Sequence, residues 1–99
     1  MKVVVKPYLF LRESLGVKEI TIELPEGTSV RGLLQVLRRD HRMPEKLSIN
    51  GRYLTLMNGE ELTGMTVLIN GYTIKQLQGI DTVLDEGSII SIFPPAAGG

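Results

Sequence analysis

Ile20-Thr21-Ile22-Glu23-Leu24-Pro25-Glu26-Gly27-Thr28-Ser29-Val30-Arg31-Gly32-Leu33-Leu34-Gln35-Val36-Leu37 changes its apolar period at a single turn signal. Before Pro25 the apolar residues alternate, which predicts a half-buried strand with Ile20, Ile22 and Leu24 inward. Pro25-Glu26-Gly27 is the turn. After it, Val30, Leu33, Leu34 and Leu37 recur at i, i+3, i+4 and i+7, one stripe of an amphipathic helix spanning about residues 29–40. Thr28 or Ser29 caps it, since either hydroxyl can accept an orphan amide hydrogen of the first turn. Arg38 and Arg39 sit in the last turn, where the carbonyl ends favour cations. Gly32 is either tolerated at a small cost in helix propensity or marks a close-packing site.

Outward from this unit, Val3-Val4-Val5 between two lysines reads as an opening strand with Val3 and Val5 inward, bent or ended by Pro7. Leu9 to Leu15 can form a short helical turn stopped at Gly16. Downstream come two similar phrases, Leu47-Ser48-Ile49-Asn50-Gly51-Arg52-Tyr53 and Val67-Leu68-Ile69-Asn70-Gly71-Tyr72. Asn-Gly between apolar runs predicts a two-residue hairpin turn, which needs positive φ at both positions. Ile80 to Leu84 reads as a loop or helical turn, and Asp85-Glu86-Gly87 as a tight turn into the last strand, Ile89 to Phe93. Two strands, one main helix and a sheet completed afterwards give an α+β fold, a mixed sheet packed on one helix. The first and last strands could pair at its centre.

The chain is 99 residues long, with eleven basic and eleven acidic residues and no cysteine. That length allows one small domain. The charge balance gives no reason to expect bulk attraction to nucleic acid or a membrane surface. Without cysteine there is no disulfide framework, thiolate metal site or cysteine nucleophile. No apolar run approaches the roughly 18 residues that cross a bilayer. The opening residues are too soon charged for a signal peptide, so a cytoplasmic location is expected.

In the final phrase, Phe93-Pro94-Pro95-Ala96-Ala97-Gly98-Gly99, the strand ends at Phe93 and the two prolines, two alanines and two glycines after it cannot pack a core. Proline pairs do not extend a sheet ladder, so the expected division is a domain of residues 1–93 and a flexible functional tail of 94–99. Glycine lacks the β-carbon that would keep a backbone out of a narrow channel, and the prolines keep the base of the tail extended. With glycine near 7% of residues, a terminal pair arises by chance in about 0.5% of chains. The pair is therefore modest evidence alone and gains weight from the strand and prolines before it. A free α-carboxylate is ionised at neutral pH and a poor electrophile, so any chemistry there needs an activating enzyme.

The phrase from Phe93 to Gly99 resembles the C-terminal signature of the small, sulfur-carrying subunit of molybdopterin synthase, in the ubiquitin-like β-grasp superfamily. The likeness runs back through Asp85-Glu86-Gly87, the stretch from Leu77 to Leu84, Val67-Leu68-Ile69-Asn70-Gly71, residues 18–39 and the opening strand. It is weakest across residues 41–64, which read as extra material. The resemblance implies that an E1-like adenylyltransferase uses ATP to adenylate Gly99, and that a sulfur donor protein converts the acyl-adenylate to a thiocarboxylate. The tail residues Pro94, Pro95, Ala96, Ala97 and Gly98 would thread the active site of the synthase's large catalytic subunit. Sulfur would pass there to the pterin dithiolene that binds molybdenum or tungsten. The chain would be no enzyme alone, with no catalytic side chain, metal ligand or bound cofactor of its own.

The resemblance leaves open a related carrier for thiamine thiazole or transfer RNA thiolation, a ubiquitin-like modifier conjugated through Gly99, and a β-grasp interaction domain whose tail is never activated. Phe93 and, less strongly, Phe10 are the expected partner-interface residues. Phe93 is either an exposed anchor or half-buried against the first strands. Arg12, Arg38 and Arg39 could meet an acidic partner, although a solvated helix face is the commoner use of such residues. His41 follows the helix end, and Asp81, Asp85 and Glu86 are expected in turns.

Overall fold

The computed structural model describes residues 1–59 and 61–95. Its main sheet is assembled from β1 (Lys2–Pro7), β2 (Ile20–Glu23), β7 (Thr66–Ile69), β8 (Tyr72–Thr73) and β9 (Ile89–Phe93), in the order β2-β1-β9-β7-β8. The central pair β1 and β9 is parallel and the other pairings are antiparallel. The sheet is therefore mixed, with the first and last strands at its centre as expected. Parallel neighbours require a crossover, and the whole intervening chain supplies it.

Helix α2 (Val30–Asp40) covers one face. Its buried residues are Val30, Leu33, Leu34 and Leu37, the stripe read from the sequence. They meet Val3, Val5, Ile22, Leu24, Val67, Ile69, Ile90 and Ile92 in one core. Each fully buried aliphatic side chain contributes roughly 2 kcal/mol, and such burial holds the two layers together. Ser29 is the cap, its hydroxyl accepting from the Gly32 amide at 3.4 Å. A methyl group on Gly32 would lie 2.8 Å from Cγ2 of Thr28, so this glycine marks a close approach. The stretch from Thr82 to Leu84 is tied to the helix start, with Val30 N donating to Thr82 O at 2.9 Å and Leu84 N to Thr28 O at 2.9 Å.

Helix α1 (Leu9–Leu15) follows β1 and ends at Gly16 in the left-handed conformation. Both Asn-Gly turns form. Asn50 and Gly51 join β3 (Lys46–Ile49) to β4 (Arg52–Thr55) with φ of 52° and 77°. Asn70 and Gly71 join β7 to β8 with φ of 50° and 90°. The Asn70 side chain also accepts from the Ile89 amide at 2.9 Å and so fixes the start of β9. A third Asn-Gly pair behaves differently. In the hairpin of β5 (Met57–Asn58) and β6 (Glu61–Leu62), Asn58 pairs with Glu61 and belongs to the strand.

Residues 41–64 are more than an appendage. Met43, Leu47, Leu56 and Met57 are buried in the same core as α2 and the sheet. Arg38 pairs with Glu45 and donates to the Gly59 carbonyl at 2.9 Å, tying the helix to this segment. Its guanidinium thus serves an internal contact, where the sequence had offered a solvated helix face or, less commonly, partner docking. Among the described residues no helix is long and apolar enough to cross a membrane.

Candidate functional site

The site expected from the sequence is the place where the chain leaves the sheet. β9 delivers it. Ile90 and Ile92 are fully buried on the α2 side, and Ile89 is 40% exposed on the other. Period-two alternation then puts Phe93 on the outer face. There it is half-buried, its ring stacked on Tyr8 with centroids 4.5 Å apart and planes within 8°. Of the two environments left open for Phe93, the structure selects burial against the opening strand. The reason is the parallel pairing: Pro7 lies opposite Ile92, which brings Tyr8 alongside Phe93.

Tyr8 is itself held. Its amide donates to Ile92 O at 3.0 Å, and the Arg12 guanidinium lies 5.1 Å from its ring centroid, within cation–π range. Arg12 Nε also donates to the Pro7 carbonyl at 3.1 Å. Arg12 therefore braces the exit from one turn of α1. Replacing Tyr8 by alanine should cost about 1–2 kcal/mol through lost stacking and burial, measurable by urea denaturation.

Beyond Phe93 the ladder stops, since neither Pro94 nor Pro95 has an amide hydrogen. The chain nevertheless stays on the body, with Pro94 buried and Pro95 half-buried. A methyl group built on Gly64 would lie 3.1 and 3.2 Å from Cγ and Cβ of Pro95 and 2.8 Å from the Thr55 carbonyl oxygen. Packing against the body thus continues through Pro95. The remaining tail positions, Ala96, Ala97, Gly98 and Gly99, lie outside the described residues.

Phe10, the second expected interface residue, is 40% exposed on α1. It does not join the Tyr8–Phe93 stack but lines an open groove with Glu13, Ser14, Lys46 and Ile49. Arg39 donates to Asp40 at 3.0 Å and holds that exposed carboxyl below the usual carboxylate range. Asp81 pairs with Arg31 at 3.1 Å, and Glu86 accepts from the Lys2 amide. His41 is the C-terminal cap of α2. Among the described residues no three His, Cys, Asp or Glu side chains come together as a metal site. Sequence reading missed Tyr8 and Gly64. Tyr8 acquires its role only through strand pairing, and Gly64 only through the approach of Pro95.

Comparison with known proteins places these features in a family. A model described as the ThiS family matches residues 9–99. Small archaeal modifier protein 3 of Haloferax volcanii is 30% identical over 99 residues, covering 100% of both chains. The crystal structure of SAMP1 from Haloferax volcanii superposes with a TM-score of 0.78 at 21% identity, with 100% of each chain covered. At that identity it speaks to the fold alone. The putative molybdopterin converting factor, subunit 1, from Pyrococcus furiosus gives a TM-score of 0.67 at 27% identity, covering 97% of this chain and 99% of that one.

Proposed function

The chain belongs to the ThiS family, with its ubiquitin-like β-grasp fold, and from that premise we propose that it is a sulfur carrier acting through Gly99. It is a small protein of the carrier and modifier type, and the chemistry is supplied by its partners. The observation that carries the reading is the exit itself. A central strand, buried on one face and braced on the other by Tyr8, leads through two seated prolines to the sequence Ala96-Ala97-Gly98-Gly99.

In the proposed cycle an E1-like adenylyltransferase closes around the Gly99 carboxylate. A carboxylate oxygen attacks the α-phosphorus of ATP and pyrophosphate leaves. A persulfide on a sulfur donor protein then attacks the acyl carbon and expels AMP. A second thiol attacks the donor's sulfur of the resulting acyl disulfide, leaving the donor in a disulfide and the terminus as a thiocarboxylate. Its sulfur is nucleophilic, and after transfer to an acceptor the hydrolysed acyl group is again a carboxylate. We place the acceptor in the large subunit of molybdopterin synthase, with dithiolene formation for molybdenum or tungsten cofactor as the outcome. The Phe93-Pro94-Pro95 phrase and the likeness to the Pyrococcus subunit support this branch over thiamine thiazole or transfer RNA thiolation. The cytoplasm is the proposed setting.

A second reading is favoured by the full-length similarity to a small archaeal modifier protein. Here the same acyl-adenylate is captured by lysine amines of other proteins. The two outcomes share activation and differ in the nucleophile, so one chain can support both. The deciding experiment co-expresses the chain with its E1-like enzyme and a sulfur source, followed by intact mass measurement. Exchange of one terminal oxygen for sulfur supports the carrier. Lysine-linked conjugates without that exchange support the modifier, and the absence of both products overturns activation at Gly99.

A further inference from the structure

We propose that Gly64 is a positioning residue for the terminus: with the Thr55 carbonyl it forms a notch that seats Pro95, so the reaching segment starts at Ala96. Strand register shows how the notch arises. Thr66 lies opposite Phe93 and Val67 opposite Ile92 in antiparallel pairing. One step further along the same register puts Met65 opposite Pro94, and the next puts Gly64 opposite Pro95. The prolines thus follow the path of β9 after its hydrogen bonds have ended.

Space at this position is set by close approach. Gly64 is not among the residues with positive φ, so its backbone conformation is open to any residue. What excludes a side chain is crowding, since a β-carbon there would lie 2.8 Å from Thr55 O and 3.1 Å from the Pro95 ring. A contact below about 3 Å to a backbone oxygen cannot be relieved by a rotamer change. Nor is the Thr55 wall free to retreat. Its carbonyl accepts from the Thr63 hydroxyl at 3.4 Å, Thr63 N donates to Leu56 O at 3.2 Å, and Leu56 N donates to Glu45 O at 2.7 Å. A methyl at Gly64 can clear the Thr55 oxygen only if Gly64 itself shifts toward the Pro95 ring, which should push the tail out of its seat.

The segment that looked like extra material in the sequence therefore supplies one wall of the exit. Tyr8 and Arg12 brace Phe93, while Thr55 and Gly64 hold the chain two residues later. This limits reach. Six residues from Pro94 could extend roughly 20 Å, whereas four from Ala96 extend at most about 14 Å. The body must then dock correspondingly closer to the activating site. This consequence for activity rests on the proposed activation of Gly99; the seat itself does not.

The test has a structural arm and a reach arm, both on the full chain. In the labelled native protein, nuclear Overhauser contacts between the Gly64 α-protons and the Pro95 ring are expected. In Gly64→Ala the contacts from position 64 to that ring should weaken or vanish while the amide spectrum of the main sheet stays in place. Deleting Ala96 from the native chain should slow ATP–pyrophosphate exchange with the E1-like enzyme at least about tenfold, because the terminus falls short. In the Gly64→Ala background the same deletion should cost less than about threefold, since unseating returns Pro95 to the tail and replaces the one residue deleted. Pro95→Gly, which empties the notch from the other side, should give the same relief should Gly64→Ala fold poorly. Absence of the Gly64–Pro95 contacts in the native chain, or an Ala96-deletion cost equal in seated and unseated backgrounds, would overturn the proposal. If the native terminus is not adenylated at all, the carrier reading fails and the seat is decided by the Overhauser contacts alone.

Discussion

Deletion of Gly99 is expected to abolish the proposed activation while leaving the melting transition of the domain unchanged. The expected loss is at least about a hundredfold in ATP–pyrophosphate exchange, because the carboxylate retreats by one residue, about 3.5 Å, from a site that must align it with a phosphorus atom. Stability should move by less than about 0.5 kcal/mol, the range of changes that remove no packed group. The core supports this separation, since its last member among the described residues is Ile92. Exchange kinetics and a thermal melt on the same preparation read both quantities. A large drop in melting temperature would mean that the terminus contributes to the fold, which contradicts its use as a free co-substrate. Unchanged exchange would remove Gly99 as the reacting residue.

The contrast between terminus and body also explains which features were legible in the sequence. The helix stripe of Val30, Leu33, Leu34 and Leu37 was readable because burial at a helical period leaves a pattern that no other element produces. Asn50-Gly51 and Asn70-Gly71 were readable because few dipeptides tolerate two successive left-handed conformations. Asn58-Gly59 shows where that signal stops, since Asn58 is paired in a strand and only the glycine has positive φ. The dipeptide alone does not say where in the hairpin it sits.

For the candidate site, the sequence pointed to the terminus and not to the base of the exit. Gly98-Gly99 and the two prolines announce a tail, but its anchoring depends on residues far away along the chain. Tyr8 reaches Phe93 only because β1 and β9 run parallel with Pro7 opposite Ile92. Gly64 meets Pro95 only because β7 and β9 run antiparallel in a particular register. Neither contact leaves a local period or a turn signature. The same limit applies to Arg38, whose helix-end position suggested a solvated or docking role and whose partners are Glu45 and the Gly59 carbonyl.

Ile92→Ala should be the most destabilising single change near the exit, at about 2–5 kcal/mol. Ile92 is fully buried, sits on the central β9 and is flanked by both Pro7 and Val67. Truncation removes three carbons from a site whose neighbours belong to two strands and cannot collapse together without breaking register. For a domain of this size, with a total stability of roughly 5–15 kcal/mol, the loss corresponds to a fall of roughly 10–25 °C in melting temperature. Ile89→Ala is the control. Its side chain is 40% exposed on the opposite face, and its loss should cost under about 1 kcal/mol. Urea denaturation of the two variants therefore tests the assigned faces of β9, and equal costs would show that the alternation is misassigned. Below its own melting transition, Ile92→Ala should still be adenylated, because the strand leads to the same terminus. A variant that is folded but inactive would instead mean that the activating enzyme reads the geometry of the exit as well as the carboxylate it presents.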